Sequence, residues 1–89
     1  MTSVSPQWQA VRVITEDPDV QAVFREFRRA GGKGSGWALV RSVHKEPKSV
    51  ESALAKLRDL QVVDSQGSGL DATYSLTKLG FSIYDYFDR

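Results

Sequence analysis

The chain has 89 residues, a formal net charge of +1 and no cysteine. A chain of this length forms one domain, and the lack of cysteine excludes disulfides and thiolate-bound metals as sources of stability. Hydrophobic residues make up 40 % of the chain, and no apolar run approaches the roughly 20 residues that a membrane-spanning helix needs. We therefore expect a folded, soluble protein of the cytoplasm.

Residues 1–16 are predicted to form an N-terminal extension to the domain. Trp8, Val11 and Ile14 recur at helical spacing after a Ser-Pro pair that suits the start of a helix. Val11 and Val13 also alternate with a polar residue, which fits a short strand. The pattern favours the helix but leaves both alternatives open, and we expect Trp8 to pack on the body of the domain.

The first well-defined element begins the domain proper, residues 17–89. Asp17 suits the N-cap and Pro18 the first turn of a helix. The glycine pair at 31–32 suits its end, because glycine adopts the left-handed cap conformation at little cost. The apolar residues of this helix share one stripe: Val20, Val23, Phe24 and Phe27.

Two further helices follow with a short turn between them. Ser35 is placed to cap the first, which fades near His44, and Pro47 opens the second, predicted over residues 47–60. The short turn suits a helix-turn-helix pair. The side of the 47–60 helix opposite its apolar stripe carries Lys48, Glu51, Ser52, Ala55, Lys56 and Asp59.

The remaining residues predict a β-hairpin and a last helix. Strands are expected at 62–64 and 72–75 around a loop at 66–70, and Thr77 can cap a helix over 77–88.

The glycine-rich run at 31–36 could cradle a phosphate. It lacks the spacing of a nucleotide-binding loop and no strand precedes it, so we interpret it as a flexible linker with a helix cap.

The stretch Tyr-Ser-Leu-Thr-Lys-Leu-Gly at 74–80, which follows the helix pair and the hairpin, resembles the end of a winged helix-turn-helix domain. Such domains occur in MarR- and PadR-like regulators. The resemblance implies a mainly helical α+β fold with a three-helix core, a two-stranded β-hairpin wing and a C-terminal helix. It also implies a transcriptional regulator that binds double-stranded DNA as a dimer.

The resemblance also implies where DNA would lie. Groove contacts fall on one side of the 47–60 helix: Lys48, Ser49, Ser52 and Lys56. Contacts to the DNA backbone fall on four cations of the preceding helices: Arg28, Arg29, Arg41 and Lys45.

His44 is the only histidine, so we expect no metal site. No catalytic arrangement, cofactor site or small-molecule pocket is expected either.

Three features depart from the pattern of these regulators. Glu46 stands where a small N-cap is usual, and Gln61 where glycine usually precedes the first wing strand. The wing carries Asp64 and Asp71 but neither Lys nor Arg, and a near-neutral chain predicts weak DNA binding by one copy. These features favour an alternative, a protein-interaction module that uses the acidic wing or the aromatic C-terminal helix.

The last helix carries aromatic residues on more than one face, which predicts a partner. The expected dimer interface is Phe81, Tyr84, Tyr86 and Phe87. Two copies would offset the weak charge of one. The alternative is that the N-terminal segment with Trp8 covers these rings.

Overall fold

The computed structural model describes residues 6–87, and the side chains of residues 8–85. Over this range the chain forms five α-helices, three strands and one turn of 3-10 helix. Their order is α1 (Pro6–Glu16), α2 (Pro18–Arg29), β1 (Lys33–Ser35), α3 (Gly36–Val43), α4 (Pro47–Asp59), β2 (Val63–Gln66), the 3-10 turn (Gly69–Asp71), β3 (Thr73–Leu76) and α5 (Lys78–Phe87). This is the mainly helical α+β fold that the sequence predicts.

The N-terminal segment, for which the sequence allowed a helix or a strand, is helix α1. Ala10, Val11 and Ile14 are buried in the same core as the apolar stripe of α2. Trp8, expected to pack on the body of the domain, instead remains 57 % exposed. The buried face of α1 therefore consists of smaller aliphatic residues.

Helix α2 begins and ends as its sequence predicts. Asp17 is the N-cap, and its Oδ1 accepts hydrogen bonds from the amides of Asp19 (3.1 Å) and Val20 (3.3 Å). At the other end, the Gly32 amide donates to the Phe27 carbonyl (2.7 Å), and Gly32 adopts a φ of +90°. The predicted apolar stripe is buried throughout.

The sheet has a third strand, β1, that the sequence did not predict. The strand order in the sheet is β1-β3-β2, and both neighbouring pairs are antiparallel. The segment interpreted as a flexible linker therefore includes β1, with Gly34 paired opposite Tyr74. At Gly36, a Cβ atom would lie 2.5 Å from the Leu70 carbonyl oxygen, so this glycine permits close contact with the wing. The glycine-rich run is thus part of the packed structure.

The stretch at 74–80 joins the sheet to α5, and we call Leu76, Thr77 and Gly80 the closing motif. The Thr77 hydroxyl donates to the Gln61 carbonyl (2.6 Å) and accepts from the Gly80 amide (3.1 Å), which caps α5 as predicted. A Cβ atom on Gly80 would lie 2.4 Å from the Val62 carbonyl oxygen. The motif therefore needs a hydroxyl and, three residues later, a residue without a side chain.

Tyr84, expected at a dimer interface, is a core residue and only 8 % exposed. Its ring stacks on Phe24 with 4.3 Å between ring centroids, and its hydroxyl donates to the Phe24 carbonyl. Burial raises the pKa of this phenol. The interface prediction is wrong for Tyr84, because the ring fills the space between α5 and α2. Phe81 is 52 % exposed, whereas the side chains of Tyr86 and Phe87 lie outside the described residues.

Candidate nucleic-acid interface

Helix α4 presents one buried and one open side. Val50, Ala53, Leu54 and Leu57 are buried against the core. Pro47 occupies the first turn, while Glu46 at the N-cap position makes no side-chain capping hydrogen bond. The first amides of α4 are therefore not capped by a side chain, as the absence of a small residue at position 46 predicts.

A tight turn sets α4 against α3. His44 ends α3 in the left-handed conformation (φ 56°), and its amide donates to the Val40 carbonyl (3.2 Å). The His44 side chain is exposed, as expected for a turn residue. Only residues 44–46 separate the two helices, which gives the helix-turn-helix arrangement predicted from the sequence.

The structure brings the predicted groove contacts together on the open side of α4. Lys48, Ser49, Ser52 and Lys56, here called the α4 face, line one cavity of about 250 Å³. Lys48, Ser52 and Lys56 are exposed and Ser49 is half-buried. The same cavity is lined by Asp17 and Asp19 from the start of α2, and these carboxylates were not part of the predicted site.

Each of these carboxylates holds one of the predicted DNA contacts. Lys56 Nζ lies 2.6 Å from Asp17 Oδ2, and Lys45 Nζ lies 2.9 Å from Asp19 Oδ1. The Lys56 side chain stays 51 % exposed and that of Lys45 33 %. Partly exposed ion pairs of this kind contribute roughly 0–1 kcal/mol each to stability, so another anion can replace the carboxylate at a cost of that order.

The ion pair with Lys56 lowers the pKa of the Asp17 carboxyl. The hydrogen bond from Lys56 is the largest influence that lowers the pKa of the Asp17 carboxyl from 3.8, and the amides of Val20 and Asp19 act in the same direction against the effect of burial. The stability that the pair contributes is therefore present above about pH 4 and is lost as the pH falls through the lowered pKa.

The other predicted backbone contacts lie elsewhere. Arg28 and Arg29 are in the last turn of α2, roughly 17 Å along the helix axis from Asp17. They line a separate groove of about 760 Å³ between α1, α2, α3 and α5, and its walls include Phe24 and Tyr84. Arg41 is exposed on α3 and lines neither cavity. Sequence reasoning expected no pocket and missed this groove, because its walls come from four separate helices.

The wing forms the acidic flank of α4. Asp64 is exposed, and Asp71 Oδ1 accepts a hydrogen bond from the Trp37 indole (3.0 Å), which fastens the wing to α3. Glu51 on α4 reaches toward the wing, since a Cβ atom on Gly69 would lie 3.8 Å from its Oε2. The positive charge of the α4 face is thus bordered by carboxylates on both sides.

Among residues 6–87, no helix combines the length and apolar character needed to cross a membrane. Within the same range, no cluster of three or more His, Asp or Glu residues could hold a metal ion.

Solved structures share this architecture over nearly the whole chain. TubR from Bacillus thuringiensis serovar israelensis pBtoxis, bound to 24 bp of tubC, superposes with a TM-score of 0.78 at 16 % identity, over 99 % of this chain and 97 % of that one. A mutant TubR of type III plasmid segregation gives 0.76 at 16 % identity, over 99 % and 94 %. An ArsR family transcriptional regulator gives 0.68 at 18 % identity, over 98 % and 88 %.

The fold is a winged helix-turn-helix. It resembles that of TubR and of ArsR-family regulators. No protein-family model matches the sequence, and no curated protein matches it. Identities of 16–18 % show the fold alone, so what the chain binds must be argued from its own residues.

Proposed function

We propose that the protein binds double-stranded DNA, with α4 in the major groove. The observation that carries this proposal is the α4 face, where two lysines and two serines lie together on the open side of a helix-turn-helix. A protein of similar fold is described bound to DNA. Major grooves admit an α-helix, and side chains in this position read base edges and phosphates.

Each residue of the face has a role suited to its chemistry. Lys48 and Lys56 neutralise phosphates or donate to guanine, and the hydroxyls of Ser49 and Ser52 bond to a base or a phosphate. The amides at the start of α4, which no side chain caps, can donate to a phosphate oxygen. Lys45 in the adjacent turn adds a further backbone contact. Together these groups form one continuous contact surface.

The four backbone contacts predicted from sequence do not all belong to this surface. Arg28 and Arg29 line the separate groove at the far end of α2, and we leave them out of the proposed interface. Arg41 is exposed on α3, the helix that precedes the recognition helix, and we retain it as a backbone contact. The proposed interface therefore combines α4 with the end of α3 and the turn between them.

We also propose that the protein regulates transcription, and its likeness to MarR- and PadR-like regulators remains a prediction. In this role we propose that it acts as a dimer. Trp8 on α1 and Phe81 on α5 are 57 % and 52 % exposed, which supports a partner on these helices. Sedimentation equilibrium at about 50 μM should give twice the 9.9 kDa of one chain. The monomer mass at that concentration would contradict the dimer.

The DNA-binding proposal is tested by replacing Lys48 and Lys56 together with alanine. Affinity for a random-sequence duplex should fall roughly tenfold at about 100 mM salt, and the slope of log K against log salt should become shallower by about 1 to 2, since each lost phosphate contact removes up to about 0.9. Fluorescence anisotropy across a salt series measures both quantities.

The matched control removes the same charge away from α4. Arg12 on α1 and Lys78 on α5 are both exposed, so an Arg12→Ala/Lys78→Ala variant should bind as the wild type does. Equal losses in the two variants would contradict the assignment of the α4 face.

A second function is favoured by the acidic flank of the recognition helix. Glu51, Asp64 and Asp71 all lie on or beside the wing, and a surface of this charge suits a basic protein partner. No binding of the wild type to random duplex at micromolar concentration and low salt would favour this protein-interaction module over DNA binding.

A further inference from the structure

The first turn of α2 places carboxylates where DNA phosphates would otherwise lie. Asp17 Oδ2 contacts Lys56 Nζ at 2.6 Å, and Asp19 Oδ1 contacts Lys45 Nζ at 2.9 Å. Both lysines belong to the proposed DNA surface. Asp17 and Asp19 also line the same cavity as Lys48, Ser49 and Ser52, so they border the groove-facing side chains themselves.

We propose that Asp17 and Asp19 limit the affinity of the protein for DNA, because they compete with DNA phosphates for Lys56 and Lys45. This inference rests on the proposed DNA-binding function. A duplex held only through its backbone must displace both carboxylates from the lysines. A duplex that also matches the base contacts of Ser49 and Ser52 gains additional binding energy. The carboxylates therefore weaken binding to all DNA and leave base contacts to select among sequences.

The physical reason is electrostatic exchange. When a lysine leaves a carboxylate for a phosphate, an uncompensated carboxylate remains beside the DNA. Such a group repels the phosphates and retains a cation, so fewer counterions are released overall. Lys48 is different: among the described residues it takes part in no ion pair, so its contact with DNA involves no exchange.

Asp17 can be altered without the loss of its structural role. Its Oδ1 caps α2 through the amides of Asp19 and Val20, whereas its Oδ2 holds Lys56. Asparagine and serine are N-caps about as good as aspartate. Replacement of Asp17 by either residue therefore removes the charge that faces Lys56 and keeps an oxygen for the cap.

The test compares the wild type with an Asp17→Asn/Asp19→Asn variant on a random-sequence duplex. We expect the variant to bind about fivefold to tenfold more tightly at about 100 mM salt, with a salt slope steeper by up to about 2. Its preference for a duplex obtained by in vitro selection over the random duplex should stay unchanged, because both duplexes displace the same carboxylates. Asp17→Ser/Asp19→Ser is a second variant that keeps a cap and should behave alike.

The matched control adds the same charge elsewhere. Glu26 lines the separate groove near Arg28 and Asp85 is exposed on α5, so Glu26→Gln/Asp85→Asn raises the net charge by the same amount away from the α4 face. This control should change affinity less than twofold. Equal gains in the variant and the control would overturn the inference, because net charge alone would then explain them.

The outcomes separate this inference from the function on which it rests. If the wild type binds DNA and the Lys48→Ala/Lys56→Ala variant binds weakly, DNA binding stands. A change of less than twofold in both Asp17/Asp19 variants, each folded by circular dichroism, would then overturn only the competition. If neither the wild type nor these variants bind duplex DNA, the proposed function and this inference fail together.

Discussion

The closing motif and the α4 face use polar groups in opposite ways. In the closing motif, the Thr77 hydroxyl bonds to a carbonyl and an amide, and Gly80 packs against backbone with no room for a side chain. On the α4 face and in the turn beside it, Lys56 and Lys45 form ion pairs that other anions can take over. Stability and the proposed function therefore depend on different residues and can be perturbed separately.

The largest expected effect on stability comes from a substitution that disrupts the closing motif. Gly80→Ala places a Cβ atom 2.4 Å from the Val62 carbonyl oxygen and 2.9 Å from a Leu76 methyl group. We expect the free energy of unfolding to fall by about 3 kcal/mol, as for other insertions into packed sites. Urea unfolding measures it. Ser82→Ala, an exposed site on the same helix, should change stability by less than about 0.5 kcal/mol.

A substitution with a smaller effect tests whether Tyr84 belongs to the core or to the proposed dimer interface on α5. Tyr84→Phe keeps the ring stacked on Phe24 and removes the hydroxyl that bonds to the Phe24 carbonyl. The free energy of unfolding should fall by about 1 kcal/mol, while affinity for duplex DNA and the oligomeric mass stay unchanged. A change in mass without a change in monomer stability would restore Tyr84 to an interface role.

The smallest effect tests the departure from the winged-helix pattern at Gln61. This residue adopts a φ of +63°, where a side chain is strained and glycine is not. Gln61→Gly should stabilise the protein by about 0.5 kcal/mol, after the greater freedom of glycine in the unfolded chain offsets part of the relief. Gln66→Gly in strand β2 is the matched control and should destabilise it. Equal shifts of the two thermal midpoints would contradict the strain at Gln61.

Sequence reasoning predicted the parts of the fold that local rules determine. The cap at Asp17, the stripe of α2, the turn before Pro47 and the capping hydroxyl of Thr77 all follow from neighbouring residues. Strand β1 could not be predicted in this way, because Lys33–Ser35 is short and glycine-rich and is a strand only through its pairing with β3.

The sequence predicts which side chains share the open side of α4 but not what surrounds them. Helical periodicity places Lys48, Ser49, Ser52 and Lys56 on one side of α4, and the structure brings them to one cavity. Asp17 lies 39 positions before Lys56, so only the packing of α2 on α4 reveals their ion pair. Similarly, periodicity could not show that α2 would cover Tyr84.

The most direct test of the central claim is a map of amide chemical-shift changes on addition of a random-sequence duplex of about 20 bp at low salt. We predict that the changes centre on residues 45–56, with smaller changes at Asp17 and Asp19, while α5 and the groove near Arg28 stay unaffected. Changes confined to α5 or to that groove, or no changes at all, would contradict DNA binding through the α4 face.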